Sequence, residues 1–164
     1  MLKIFFIHLG LTIAAGLVVF QEFGARLSGI AIFFMAVGLL LLLWLSSLLY
    51  SRPYFHSFYH ALLLFFFFIK ELVVANLTVA YYVITRGLQF QSAILKLPLD
   101  LKTDWQIALL ANLITLTPGT LTLDISPDKK FLYFHTLDVP GGDIEAAKQK
   151  IKAGFEKRIS NLLP

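Results

Sequence analysis

The sequence predicts a membrane α-helical N-terminal region, a helical hairpin plus a long third helix, joined to a small C-terminal α+β domain of order β-α-β-β-α. Three observations predict it. Hydrophobic residues make up 58% of the 164 residues and charged residues 15%, where an ordinary soluble domain carries about 25% charged residues. The mean hydropathy is +0.77. Charge is also unevenly placed: residues 1–85 hold Lys3, Arg26, Arg52 and Lys70 against Glu22 and Glu71, whereas residues 86–164 hold ten basic and eight acidic side chains. In that second half the long apolar runs give way to two-residue alternation and capped helical spacing.

Residues 4–20 are apolar apart from His8 and Thr12, a length at the low end for a membrane span. Lys3 before an apolar core also fits a secretory signal, but the small-residue cleavage pattern is weak and a second apolar segment follows within eight residues. Residues 29–49 carry no charge. At about 1.5 Å per residue they cross a hydrocarbon core of ~30 Å, and Trp44 and Tyr50 suit an interface. The short link 21–28 makes the two segments an antiparallel hairpin, assigned to residues 1–50.

Ser51-Arg52-Pro53 breaks the chain, and a third segment occupies residues 51–86. At 100° per residue, His56, His60, Leu63, Phe67, Lys70, Glu71, Val74, Thr78, Tyr81 and Thr85 fall on one broad stripe. A charge at mid-bilayer costs about 2.5–3.5 kcal/mol on insertion scales, so Lys70 and Glu71 face protein, water or headgroups. With Asn76 they are the candidate polar membrane contacts of this helix. Two topologies fit: the hairpin spans and the third helix lies at the interface, or all three span. The distribution of Lys3, Arg52 and the basic second half favours the first, with the C-terminal domain, residues 87–164, on the cytoplasmic side.

Within that domain, Leu97, Leu99 and Leu101 alternate with polar residues and Pro98, which predicts a short edge strand. Thr103-Asp104-Trp105-Gln106 has the form of a capping box, and Ile107, Leu110, Ala111 and Ile114 continue at helical spacing. The stretch Asn112 to Thr120 stops this helix and starts a strand. Pro118 lacks an N–H and pushes Thr117 away from helical dihedrals. Gly119 supplies φ > 0, and Thr115, Thr117 and Thr120 add hydroxyls for backbone groups. In residues 120–125, Leu121, Leu123 and Ile125 take one face and Thr120, Thr122 and Asp124 the other, which predicts a half-buried strand with the leucines inward. A turn at 126–130 leads to an aromatic strand at 131–137, so the pair forms an antiparallel hairpin. Asp143 caps a last helix with an apolar face of Ile144, Ala147, Ile151, Phe155, Ile159 and Leu162, covered by Lys148, Lys150, Lys152, Glu156 and Lys157.

No residue set points to catalysis. G-x-S-x-G, H-E-x-x-H and P-loop patterns are absent. Asp124, Asp128, Asp138, Asp143 and His135 each have a turn, cap or strand-face explanation. His56 and His60 have metal-ligand spacing but no third ligand nearby, and Asp143 would repel a phosphate at Gly141-Gly142. No cofactor is implied. The chain has no Cys, hence no disulfide and no thiolate metal site. The pI of about 9.4 comes without a basic run or interleaved aromatics, which argues against nucleic acid.

The runs Pro98-Leu99-Asp100-Leu101-Lys102-Thr103-Asp104-Trp105, Leu109 through Asp128 with Asn112-Leu113-Ile114-Thr115-Leu116-Thr117-Pro118-Gly119-Thr120 at its centre, and Leu132 through Val139 resemble the E subunit of the multisubunit Mrp/Mnh-type sodium/proton antiporters. Lys70-Glu71-Leu72 and Ala75-Asn76 resemble it too, and the likeness covers essentially the whole chain. It implies a small multi-pass subunit in a bacterial cell membrane, partnered by lipid and by the other subunits of a cation/proton antiporter. The ion path would lie mainly in the large subunits, and this chain would support assembly and activity. On that reading Asn112, Thr115, Thr117, Pro118, Gly119 and Thr120 form a structural docking motif. From the residues alone, a stand-alone membrane-anchored module binding a cytosolic ligand is the alternative.

Overall fold

The computed structural model describes residues 2–23, 28–85 and 91–162. The chain forms two compact units, one ending at Tyr59 and one beginning at His60. The first contains α1 (Leu2–Phe23), α2 (Gly29–Tyr50) and the opening turns of α3 (Arg52–Thr85). α1 runs three residues past Phe20, since Gln21 and Glu22 are good helix formers. The rest of the expected link, 24–27, lies outside the described residues. Ser28 Oγ accepts the Ala31 N–H at 3.2 Å and so caps α2. Ser51 leaves helical dihedrals between α2 and α3. Pro53 sits in the first turn of α3, where its missing N–H has no helical partner to lose. By length and composition all three helices are able to cross a membrane.

His8, near the start of α1, bonds Tyr50 at the end of α2, so the two helices run antiparallel. Trp44 stacks on Phe55 of α3 with ring centroids 4.6 Å apart, and Phe58 packs against both Trp44 and Tyr54. Aromatic pairs of this kind contribute about 0.5–1.5 kcal/mol each beyond area burial.

The second unit holds the rest of α3, then β1 (Ala93–Pro98), α4 (Asp104–Leu116), β2 (Thr120–Ile125), β3 (Phe131–Thr136), α5 (Ile144–Ile151), a π-helical turn (Lys152–Glu156) and α6 (Lys157–Ser160). The sheet has order β1-β3-β2 and is antiparallel throughout. Its inner face, Leu95, Leu97, Leu132 and Phe134, packs with Leu110, Leu113 and Ile114 of α4 and with Ile151, Phe155 and Ile159. Leu64 belongs to the same cluster, and Phe67 and Phe68 pack against it. The core of this unit thus includes one face of α3.

The structure corrects three expectations. The first strand lies at Ala93–Pro98 rather than 97–102. Leu95 and Leu97 are the buried alternates, and Pro98 ends the ladder, after which Leu99 N–H reaches Lys130 O at 2.8 Å. β2 faces the opposite way from its apolar pattern. Thr122 pairs with buried Phe134 and points inward, while Leu121 and Leu123 are each 47% exposed. A bulge between Thr122 and Asp124 then turns Ile125 back towards the core. Lastly, the final helix is not one uniform amphipathic helix. Ala147, Ile151, Phe155, Ile159 and Leu162 of the expected face do pack on the core, but a π turn adds a residue to the winding and buries Gly154, Phe155 and Glu156 in succession, and Ile144 at the start is exposed.

Candidate functional site

The turn after α4 is built from threonine hydroxyls. A helix end leaves four carbonyls without N–H partners. Here Thr117 Oγ1 donates to Leu113 O (2.8 Å), Thr120 Oγ1 to Ile114 O (2.6 Å) and Thr117 O (2.9 Å), and Thr122 Oγ1 to Ala111 O (2.9 Å). Thr115 Oγ1 accepts from Thr122 N at 3.2 Å, tying helix to strand. The inward-turned threonines of β2, Thr120 and Thr122, thus bond the C-terminal part of α4. Pro118 follows Thr117 in its extended conformation, and Gly119 takes φ +86°. Gly119 O accepts from Leu137 N at 2.7 Å. A Cβ on Gly119 would stand 3.5 Å from Leu137 Cβ and 3.8 Å from Val79 Cγ2 of α3. Asn112 stands apart: its side chain is exposed and donates to Ala108 O one turn back.

This turn forms one wall of a cavity of about 220 Å3, closed by α3, the sheet and α5 with its π turn. The polar stripe of α3 divides. Phe67, Glu71, Val74 and Thr78 line the cavity, while Lys70 is exposed and Asn76 is exposed with its amide donating to Leu72 O at 2.8 Å. Glu71, its side chain 13% exposed, lies 3.3 Å from Lys150 Nζ of α5. Of the three candidate polar contacts, only Glu71 therefore joins the threonine turn in one site.

Two further polar clusters escaped the sequence reading. Glu156, expected on the covering face, is buried. Its Oε1 accepts Asp100 N–H at 2.7 Å, and Oε2 faces Lys152 Nζ at 3.6 Å. Lys152 in turn holds Asp100 Oδ2 at 2.6 Å. Burial opposes the charge on Lys152, but the Asp100 hydrogen bond and the two nearby carboxylates outweigh it and raise its pKa above the ordinary 10.5. The only signal for this cluster was an i,i+4 Lys-Glu pair, ordinarily a surface feature. In the other unit, His8 is buried, bonded to Tyr50 Oη through Nε2 and 3.5 Å from Tyr54 Oη through Nδ1. A lone histidine in an apolar segment was the signal, but its partners lie far along the chain.

The remaining acids bond backbone or nearby side chains. Asp143 Oδ1 accepts from Ala146 N and caps α5, Asp138 accepts from Gln91 N, and Asp124 accepts from Ile125 N. Asp128 accepts the Ser126 hydroxyl at 2.6 Å, which together with Lys130 N–H lowers its pKa. Among the described residues no group of three or more His, Asp or Glu is placed to hold a metal ion.

A family model described as Na+/H+ ion antiporter subunit matches residues 9–162. The E subunit of the Na(+)/H(+) antiporter of Alkalihalophilus pseudofirmus is 40% identical over 123 residues, 75% of this chain and 77% of its own. The E1 subunit of the Staphylococcus haemolyticus antiporter is 41% identical over 114 residues, 70% of each chain. Among solved structures, a chain of the membrane-bound sulfane sulfur reductase, an archaeal respiratory membrane complex, has the same fold. Its TM-score is 0.56 at 24% identity, covering 93% of this chain and 98% of that one. With the match running through all three apolar helices and the threonine-capped turn, this chain is a membrane protein belonging to the family of Na+/H+ antiporter E subunits.

Proposed function

We propose that this chain is an accessory membrane subunit of a multisubunit Na+/proton antiporter, serving assembly and activity without carrying the main ion path. The family match carries the first part of this reading, since the relatives it aligns with are themselves named antiporter subunits. The second part rests on the ionisable groups. Glu71 is engaged by Lys150, Lys70 is exposed, and His8 is held between two tyrosines. No file of buried carboxylates runs along the described helices, as a proton path through them would need.

The docking role follows from two surfaces. Inwardly, the turn at Thr117, Pro118, Gly119 and Thr120 packs the α/β unit on its own α3. Outwardly, Ile94, Leu121 and Leu123 are exposed on one sheet face on either side of His135 and Tyr133, and exposed apolar side chains grouped in this way support a place for a partner. The hairpin at residues 1–50 anchors the subunit, and the domain at 87–164 sits on the cytoplasmic side.

Purification in mild detergent tests the reading. Large multi-span partners are expected to co-purify in fixed proportion, and recovery of this chain alone would count against an antiporter subunit. Labelling Leu2→Cys and Asn161→Cys from each side of the membrane reads the topology. Reaction of both from one side means two spans, and from opposite sides three.

A further inference from the structure

We propose that the cavity between α3, the sheet and α5 is a binding site for one phospholipid acyl chain, with the Lys150 ammonium at its mouth bonded to the lipid phosphate.

The walls are mostly hydrocarbon, with Phe67, Val74 and Val79 from α3, Phe134 and Leu137 from the sheet side, and Phe155 from the last helix; Glu71, Asp138, Lys150 and four threonines also line it. An apolar cavity of about 150 Å3 stays dry and takes up a small hydrocarbon; this one measures about 220 Å3. The threonines around it have no free hydroxyl proton to offer a polar ligand. The hydroxyls of Thr117, Thr120, Thr136 and Thr78 all donate to backbone carbonyls of their own surroundings. A sugar or nucleotide would lose its hydration there and gain few bonds in return.

The choice of a lipid follows from the neighbouring surface and from charge. The same stretch of α3 that lines the cavity presents Phe65, Phe66, Leu77 and Ile84 outward, each at least half exposed, so the cavity adjoins a surface suited to acyl chains. Lys150 lines the cavity yet its side chain is 72% exposed, which places the ammonium at the opening. Glu71 fixes it there from 3.3 Å while leaving donor capacity for a second anion. A long amine whose apolar stem lies on the cavity and whose charge reaches the headgroup layer complements an anionic phosphodiester.

The test uses the intact complex in phosphatidylglycerol vesicles doped with a phosphatidylglycerol carrying a diazirine on one acyl chain. After photolysis, peptides containing Leu137 or Phe155 are expected to carry the label, read apart from the α3 peptide that holds Leu77. Val79→Trp fills the cavity and is expected to cut that labelling about ten-fold, as expected for losing two methylenes from burial, while labelling of Leu77 persists. A diacylglycerol probe with the same diazirine but no phosphate is expected to label the cavity several-fold less than the phospholipid and to label Leu77 equally. This comparison stands even if Val79→Trp does not assemble. Equal cavity labelling by the two probes, label confined to outward residues of α3, or cross-linking of a photoreactive side chain at position 79 to a neighbouring subunit would each overturn the proposal.

Discussion

Gly119 offers the sharpest test of the threonine turn. Any L side chain there must hold φ +86°, which costs about 1–2 kcal/mol in the left-handed region. Replacing glycine also stiffens the unfolded chain, returning about 0.4–1 kcal/mol, so Gly119→Ala should lose about 1 kcal/mol. Its Cβ makes only ordinary contacts, 3.5 Å to Leu137 and 3.8 Å to Val79. Valine adds two γ-carbons to a position already touching both neighbours, and overpacking of this kind costs a further 1–3 kcal/mol. Asparagine tolerates the left-handed region and should be mildest. The expected order of loss is Asn, then Ala, then Val. With Trp44→Phe as background, Trp105 on α4 is the sole tryptophan, and its fluorescence follows melting of this unit in the full-length protein. A unit of about 100 residues shifts by roughly 4–8 °C per kcal/mol, which separates the three variants. The amount of assembled complex should fall in the same order before any ion affinity changes, and Pro118→Ala should behave likewise. Valine melting with alanine would refute the contact with α3. Alanine as stable as wild type would refute the turn geometry.

Gly154→Ala should cost about 1–3 kcal/mol, because its Cβ would meet Phe67 Cζ at 3.1 Å. Phe67 is hemmed in by a T-shaped contact with Phe155 and by Arg158 over its ring at 3.9 Å. Phe67→Leu in the same chain should restore part of the melting temperature, and no restoration would place the clash elsewhere. For the ion pair, Lys150→Met should destabilise more than Glu71→Gln, because it strands a mostly buried carboxylate. The double variant should recover towards Glu71→Gln with a coupling of about 0.5–1 kcal/mol, and strict additivity would remove the pair as a contributor. Glu71→Ala should lower complex abundance and with it sodium tolerance; normal assembly and tolerance would end any role for that residue. Asp128 has a folded pKa below its ordinary 3.8, so its contribution is present above that value and disappears as pH falls through the lower folded value. Ser126→Ala should move its carboxyl titration upward, read by carbon NMR, and an unmoved titration would dismiss the hydroxyl as the cause.

What the sequence made legible were elements whose cause is local. Asp143 caps α5 from three residues away, Pro118 and Gly119 set the dihedrals of their own turn, and the apolar runs of α1, α2 and α3 need only count and length. The division of the α3 stripe was half legible. Phe67, Glu71, Val74 and Thr78 do turn to one side, but nothing local says that Lys70 and Asn76 stay outside. Orientation in β2 was misread because alternation identifies two faces without naming the inner one. The inner face is the one whose threonines, Thr120 and Thr122, reach carbonyls of α4, contacts that the alternation does not show. The π turn and the burial of Glu156 are non-local in the same sense, since they depend on Asp100, more than fifty residues upstream, and on the space that Phe67 occupies.

Leu64, Phe67 and Phe68 supply part of the core of the α/β unit, and this has a consequence for biogenesis. A ribosome delivers α3 before any strand emerges, so the sheet and α4 condense on a helix already in place. If that helix were withdrawn or misinserted, Phe155 would lose its ring partner, Gly154 would be uncovered, and the apolar core would open to solvent. The subunit thereby carries its own proofreading. A domain whose core borrows side chains from α3 is weakened when that helix is misplaced, and gives cellular proteases a direct means of clearing copies that never reached the membrane properly.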